Sequence, residues 1–260
     1  DTVIISIPPR LHLSKPIEVH YRVTEGPFLS NLFIHASHGS IASIIIFLEG
    51  DAPYVSQVVN VIARKNTRVN ITYVQHVSSS TNLIIDRASK HAEGAIVEWT
   101  DLSMGGAFVS SETTAYLNED GAKTVERVLY IGKGHAQYDF STSAIHNAPR
   151  TTSSLVTRGA IADDAKTVMR GRIKVGPKAK GSQGFEKQDA LVLSPTAEAD
   201  AIPNLEIEHN DVSCKHGSTI GPVDDEKLFY CMSKGMDASL ARKLIVEGYL
   251  APALAGIPES

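Results

Sequence analysis

Thr167-Val168-Met169-Arg170-Gly171-Arg172-Ile173-Lys174-Val175 is the stretch on which the fold turns. Met169, Gly171, Ile173 and Val175 fall on one side and Arg170, Arg172 and Lys174 on the other, a period of two that predicts a half-buried strand. The residues leading into it, Asp164-Ala165-Lys166-Thr167-Val168, echo Gly121-Ala122-Lys123-Thr124-Val125 from 43 residues earlier. Downstream, Ile131-Gly132 is echoed by Val175-Gly176, 44 residues on, and Phe140 by Phe185. Self-similarity at about 20–50 residues marks solenoids. A period near 43 reads as two coils of a β-helix, each coil carrying two or three short strands. The alternative is a chance likeness between two hairpins of a sandwich or barrel.

Other segments agree with a strand-rich chain. Ala95-Ile96-Val97-Glu98-Trp99 and Thr124 to Ile131 are rich in β-branched and aromatic residues. Ile41 to Leu48 is almost continuously apolar, as in a strand buried on both faces. Turn residues separate these runs, with no helix of 10–15 residues between them, which argues against a doubly wound α/β fold. The pattern changes near the C-terminus. Asp224-Asp225-Glu226 predicts an N-cap and acidic first turn, followed by Leu228, Phe229, Cys231 and Met232 at helical spacing. Gly235 is the expected C′ residue, and Asp237 caps a second helix. There Leu240, Ala241, Leu244, Ile245 and Tyr249 form one stripe, suited to the chain's own core or to another subunit. Cys231 reads as core. The expected division is a β domain over 1–222 and a helical hairpin over 223–260.

Composition narrows the function. The 260 residues are 42% hydrophobic and 21% charged, with net charge −4, an ordinary globular balance that predicts no broad binding to nucleic acid or anionic membrane. The longest apolar run is far shorter than the roughly 20 residues of a membrane helix. Two cysteines form no disulfide framework, which fits a reducing cytoplasm. The chain begins at Asp1 without an apolar segment after it, and residues preceding Asp1 are expected.

Few motifs carry chemistry. Gly176-Pro177-Lys178-Ala179-Lys180-Gly181-Ser182 has the outer spacing of a phosphate loop but lacks Lys directly before Ser, so it reads as a solvated turn. His35 and His38 have no carboxylate nearby to complete a metal site. The densest set of ligand types is Glu206, Glu208, His209, Asp211, Cys214 and His216. Cys214 and His216 are two apart, so a strand would present thiol and imidazole on one face, a pair suited to zinc, iron or copper. The alternative is a small buried Cys beside a His that bonds a turn.

At this cluster the chain resembles the SufB/SufD family. The residues that carry the likeness are Pro203-Asn204-Leu205-Glu206-Ile207, Asp211-Val212-Ser213-Cys214-Lys215-His216-Gly217-Ser218-Thr219-Ile220-Gly221, Asp224-Asp225-Glu226-Lys227-Leu228-Phe229-Tyr230 and Ser233-Lys234-Gly235-Met236. Arg170-Gly171-Arg172-Ile173 and Gln188 to Leu193 extend it upstream, and it spans about Asn70 to Leu250, closest to the short archaeal single-scaffold type. The resemblance implies a right-handed parallel β-helix and a hairpin that docks a SufC-like ABC-type ATPase through Leu228, Phe229, Tyr230, Leu244, Ile245 and Tyr249. It implies pairing of two copies through late strands, and a non-enzymatic scaffold for a transient iron–sulfur cluster, with ATP hydrolysis on the partner opening the pair. His216 and Cys214 match the family's Cys-x-His-Gly, with Lys215 in place of its small middle residue. Gln188 stands where SufB-type members place a Cys, so a four-thiolate cluster cannot form in one protomer. The expected metal set is therefore Cys214 and His216 at a dimer interface, with Glu208 or Asp211.

Two other functions compete. A β-helix carbohydrate-active enzyme would need acids and bases along one groove, for which Asp163, Asp164, Arg170 and Arg172 are candidates. A structural partner of the ATPase that binds no cluster would use the hairpin alone.

Overall fold

The computed structural model describes residues 2–254. Two eight-stranded parallel sheets face each other, and the chain alternates between them. One sheet runs β1 (Thr2–Ile7), β3 (Phe28–Ala36), β5 (Tyr54–Ala63), β7 (Asn82–His91), β9 (Phe108–Leu117), β11 (Gln137–His146), β13 (Lys166–Val175), β15 (Glu198–Ile207). The other runs β2 (Ile17–Val23), β4 (Ile41–Gly50), β6 (Arg68–Val77), β8 (Ile96–Gly105), β10 (Lys123–Gly132), β12 (Thr152–Ile161), β14 (Gln183–Val192), β16 (Ser213–Gly221). The chain is thus a β-solenoid of about eight turns. Helices α1 (Asp225–Ser233) and α2 (Ala238–Leu250) follow, then a 3₁₀ turn over Ala251–Leu254. Residues 255–260 of the expected helical segment lie outside the described residues. No helix among those described is long and apolar enough to cross a membrane.

The strand over 167–175 has the phase its alternation predicts: Met169, Gly171, Ile173 and Val175 are buried, while Arg170 and Arg172 are exposed. The 43-residue echo, however, is not two coils. Lys123 lies beside Thr152, 29 residues on, so one coil is about 29 residues and two strands. The echoing segments open β10 and β13, which belong to opposite sheets, and their separation is three strand-plus-turn steps, or one and a half coils. The repeating unit is the half-coil, because both sheets obey the same alternation and the same turn chemistry.

Inward ladders of Val, Ile, Leu and Ala fill most of the core, and Tyr130, Tyr138 and Phe140 cluster with ring centroids 4.9–6.0 Å apart. Gly159 lies under that cluster, where an added Cβ would come within 2.2 Å of the Tyr130 ring. The run from Ile41 to Leu48 alternates normally, with Ala42, Ile44, Ile46 and Leu48 inside, while outward Ile45 is also buried.

A buried polar cluster around Arg87 interrupts this core. Arg87 on β7 is 1% exposed and reaches across to Asp101 on β8, with Nη1 donating to Oδ1 at 2.6 Å and Nη2 2.5 Å from Oδ2. Its Nε donates to Thr113 Oγ1 at 3.1 Å and its Nη2 to Ser111. The guanidinium stacks on Tyr73 and Trp99, 5.2 and 5.8 Å from their ring centres. Burial pushes the Asp101 carboxyl up to about 6 against the pull of Arg87. Glu126 is also buried, both its oxygens lack hydrogen-bond partners, and burial raises its carboxyl well above the usual range.

Candidate functional site

The solenoid ends at β15 and β16, each paired on one side only. Beneath them Ala144, Leu155, Ile173, Val175 and Ala179 form a buried cluster. Leu205, Val212 and Cys214 pack on it but are only half-buried, because no further coil lies over them. Ile207 and Ile220, whose positions along their strands face the core, are exposed here. Cys214 and His216 share that inward parity, standing beside Gly184 and Glu186 of β14. The strand thus places thiol and imidazole on one face, as their spacing predicts. Burial pushes the Cys214 thiol up, so it is protonated at neutral pH until a cation lowers that cost.

The two carboxylates of the expected set lie elsewhere. Glu208 is 3.8 Å from Lys174 Nζ, and Asp211 is 3.9 Å from Lys180 Nζ, both on the outer surface of the turn between β15 and β16. Glu206 is held by the Arg172 fork at 2.9 and 2.9 Å, which lowers its carboxyl below the usual range. Among the described residues no three His, Cys, Asp or Glu side chains gather closely enough to hold a metal ion. One chain therefore brings Cys214 and His216 to one face and leaves Glu208 and Asp211 paired with lysines.

Sequence reasoning passed over the acid that does face the core here. Glu186 is 1% exposed, stands beside His216 in the ladder, and has no partner on either oxygen. It fits because Gly171 opposite has no side chain: a Cβ there would meet Glu186 Oε1 at 1.7 Å. Burial pushes its carboxyl up to about 7 from the ordinary 4.5. Folding therefore favours the protonated acid, and that stability is whole below pH 4.5 and lost as pH rises through 7. Glu186→Gln, which removes the titration, is expected to be more stable than the parent by about 2 kcal/mol at pH 8, with no gain at pH 4.5. Urea denaturation at the two pH values measures it, and an equal effect at both would refute the assignment. Gln188 also faces inward, and its amide nitrogen and oxygen both lack partners.

The helices are capped as predicted. Asp224 accepts from the backbone N–H of Glu226 and Lys227 at 3.0 and 3.3 Å, Asp237 accepts from Leu240 at 2.9 Å, and Gly235 takes φ +92°. The expectation that Cys231 belongs to a core fails, because α1 buries no residue: Phe229 is 74% and Tyr230 62% exposed, and Cys231 is half-buried. The helix packs on α2, and Leu228 and Cys231 are half-buried while Phe229, Tyr230 and Met232 stay exposed. On α2 only Ala241 is buried, Ile245 and Tyr249 are half-buried, and Leu240 and Leu244 are exposed. Leu250 joins Leu102, Met104, Leu129 and Ile131 in an apolar groove on the outer face of the second sheet.

The acids and bases considered for a sugar-cleaving groove are spent on neighbours. Arg170 pairs with Asp139 at 3.2 Å and Arg172 with Glu206, while Asp164 faces His135 at 3.4 Å. Asp163 accepts from the Gly134 N–H at 2.9 Å in a turn. His38 bonds the Lys65 carbonyl at 3.0 Å and His35 accepts from Arg64, so these two do not converge on a metal.

Residues 22–249 match the family model described as the SUF system FeS cluster assembly, SufBD core domain. The chain belongs to the SufBD family. The match reaches further towards the N-terminus than the motifs near Asn70 suggested. Similar relatives are the iron–sulfur cluster assembly SufBD family proteins of Staphylococcus saprophyticus, 29% identical over 265 residues, and Staphylococcus haemolyticus, 30% over 266 residues. In Staphylococcus aureus MRSA252 a protein of the same description is 28% identical over 265 residues. Each alignment covers 98% of this chain and 56% of the relative, so the chain spans about half the length of these SufBD proteins. These relatives are staphylococcal and give no support to the short archaeal branch suggested by the motifs. That family is described as one of iron–sulfur cluster assembly.

Proposed function

We propose that this chain is a non-enzymatic scaffold on which iron–sulfur clusters form transiently where two copies meet, working in the cytoplasm with a SufC-like ABC-type ATPase. The observation that carries the reading is the open end of the solenoid, where Cys214 and His216 share the core-facing side of an edge strand. One protomer offers too few ligands, whereas a second copy packed on the same end would double the thiols and imidazoles. Such pairing would also cover Leu205, Ile207 and Ile220. Mixed thiolate and imidazole ligation would make a labile cluster, suited to handing on rather than keeping it. The exposed Phe229, Tyr230, Met232 and Leu244 support the hairpin as the ATPase platform, since exposed aromatic clusters favour a partner. ATP turnover on that partner would then open the paired scaffold.

Anaerobic reconstitution with iron and sulfide, with and without the ATPase, tests this reading. The parent chain is expected to bind iron and sulfide in stoichiometric amounts, and the Cys214→Ala, His216→Ala double variant to bind almost none. Full binding by that variant would reject the site, and no binding by the parent in either condition would leave a structural partner of the ATPase.

A further inference from the structure

The hairpin touches the solenoid through a compact polar contact that the reading above does not use. Arg158 on β12 and Asp189 on β14 are cross-strand neighbours on the outer face of the second sheet. Arg158 Nη2 donates to Asp189 Oδ2 at 2.9 Å, and Arg158 Nη1 donates to the backbone carbonyl of Tyr249, near the end of α2, at 3.1 Å. The guanidinium lies 5.0 Å from the centre of the Tyr249 ring. Lys187 Nζ adds a second cation 3.2 Å from Asp189 Oδ2. The Asp189 side chain is 4% and the Arg158 side chain 16% exposed, so the pair is desolvated beneath the helix. Asp189 Oδ1 and Arg158 Nε are buried without partners. A pair in this state is costly to leave half-made and easily weakened by movement of the helix above it.

Its place in the chain gives the contact a consequence. Strand β16 is held along one edge only, by β14. The chain enters it from β15 through the turn at residues 208–212 and leaves it to the hairpin through Pro222, Val223 and Asp224, and Val223 is buried, so this exit is short and anchored. The hairpin in turn is fixed to β12 and β14 by Arg158 and Asp189. The contacts therefore close a ring: β16, α1, α2, the Arg158 cluster, β14, and back to β16. Displacement of the hairpin bears on the Leu250 groove, the Arg158 cluster and the ladder that holds β16.

We propose that Arg158, Asp189 and Tyr249 form a release clamp that shields β16 from movement of the hairpin, so that opening it loosens the strand carrying Cys214 and His216. As a regulation of that site this rests on the scaffold reading, but the mechanical statement does not. The occupant that would open the clamp is a protein bound to the exposed face of α1 and α2.

Hydrogen exchange read by mass spectrometry on the full chain tests the proposal without metal or partner. In Arg158→Met, amides of α2 and of residues 213–221 are both expected to exchange about tenfold faster than in the parent, while those of β8 and β10 keep their rates. Arg158→Lys, which keeps the charge but cannot fork between Asp189 and the Tyr249 carbonyl, is expected to fall between the two. Faster exchange in α2 alone would overturn the proposal, showing a local prop, and so would unchanged exchange in both. Should Arg158→Met lose its far-ultraviolet circular dichroism, Tyr249→Leu gives the same readout with the ion pair intact, and an unaltered β16 there would equally overturn it. A chain that passes this test yet binds neither cluster nor ATPase would keep the clamp and lose only the functional reading.

Discussion

Arg87→Ala is expected to destabilise the chain by about 3–5 kcal/mol, a large part of the 5–15 kcal/mol typical of a folded domain. The Arg87 charge is desolvated in the middle of the solenoid, and its partners Asp101, Ser111 and Thr113 are all buried with it. Removing it strands the Asp101 carboxyl near an unpartnered Glu126 and strips the rings of Tyr73 and Trp99 of the group stacked on them. The pair as a whole is a different matter, because two buried charges pay desolvation that hydrophobic residues of like volume do not. Arg87→Met with Asp101→Leu is therefore expected to lie within about 1.5 kcal/mol of the parent. Urea denaturation of the single and double variants decides it. A single variant within about 1 kcal/mol of the parent would mean that the charge is already hydrated in the native state.

The second large effect is expected at Gly105. Its φ is +83°, and a Cβ built there would stand 2.0 Å from the carbonyl oxygen of Val77, its neighbour in the ladder. Gly50 occupies the same row, with φ +134° and Val23 oxygen at 2.0 Å, so β4 and β8 end in the same close approach. Backbone oxygen cannot rotate away as a side chain can. Gly105→Ala must either shift the end of β8 or break its ladder, and combined steric and conformational strain is expected to cost about 3 kcal/mol. Gly121→Ala is a control with φ +68° but open space around the new methyl, and is expected to cost only about 1 kcal/mol. Thermal denaturation of both variants measures the difference, and equal losses would assign the whole effect to φ.

Local chemistry was legible in the sequence wherever one residue's role depends on its near neighbours. The alternation from Thr167 to Val175, the caps at Asp224 and Asp237, and the left-handed Gly235 all appear where the residues place them. What depends on distant partners was harder to read. The 43-residue echo could not reveal the coil length, because strands of both sheets share one pattern. Apolar spacing in α1 defined a face but not what covers it, so Cys231 was read as core. The end of the solenoid reverses the usual rule: Phe185 points outward and Glu186 inward. Density along the chain grouped Glu208 and Asp211 with Cys214 and His216, yet the turn at residues 208–212 faces Lys174 and Lys180 outside. A charged residue flanked by Gly184 and Gln188 at a spacing of two was the one available signal for Glu186.

The alternation of the chain between two sheets also restricts how such a protein can lengthen or shorten over generations. Loss or gain of a single strand with its turn between β10 and the hairpin would carry everything downstream to the opposite wall, so the terminal hairpin would emerge on the far side of the molecule, away from Leu102 and Leu129. Viable size changes must come in even numbers of strands. A variant lacking β11 and β12 together is thus geometrically conceivable in a way that one lacking β11 alone is not.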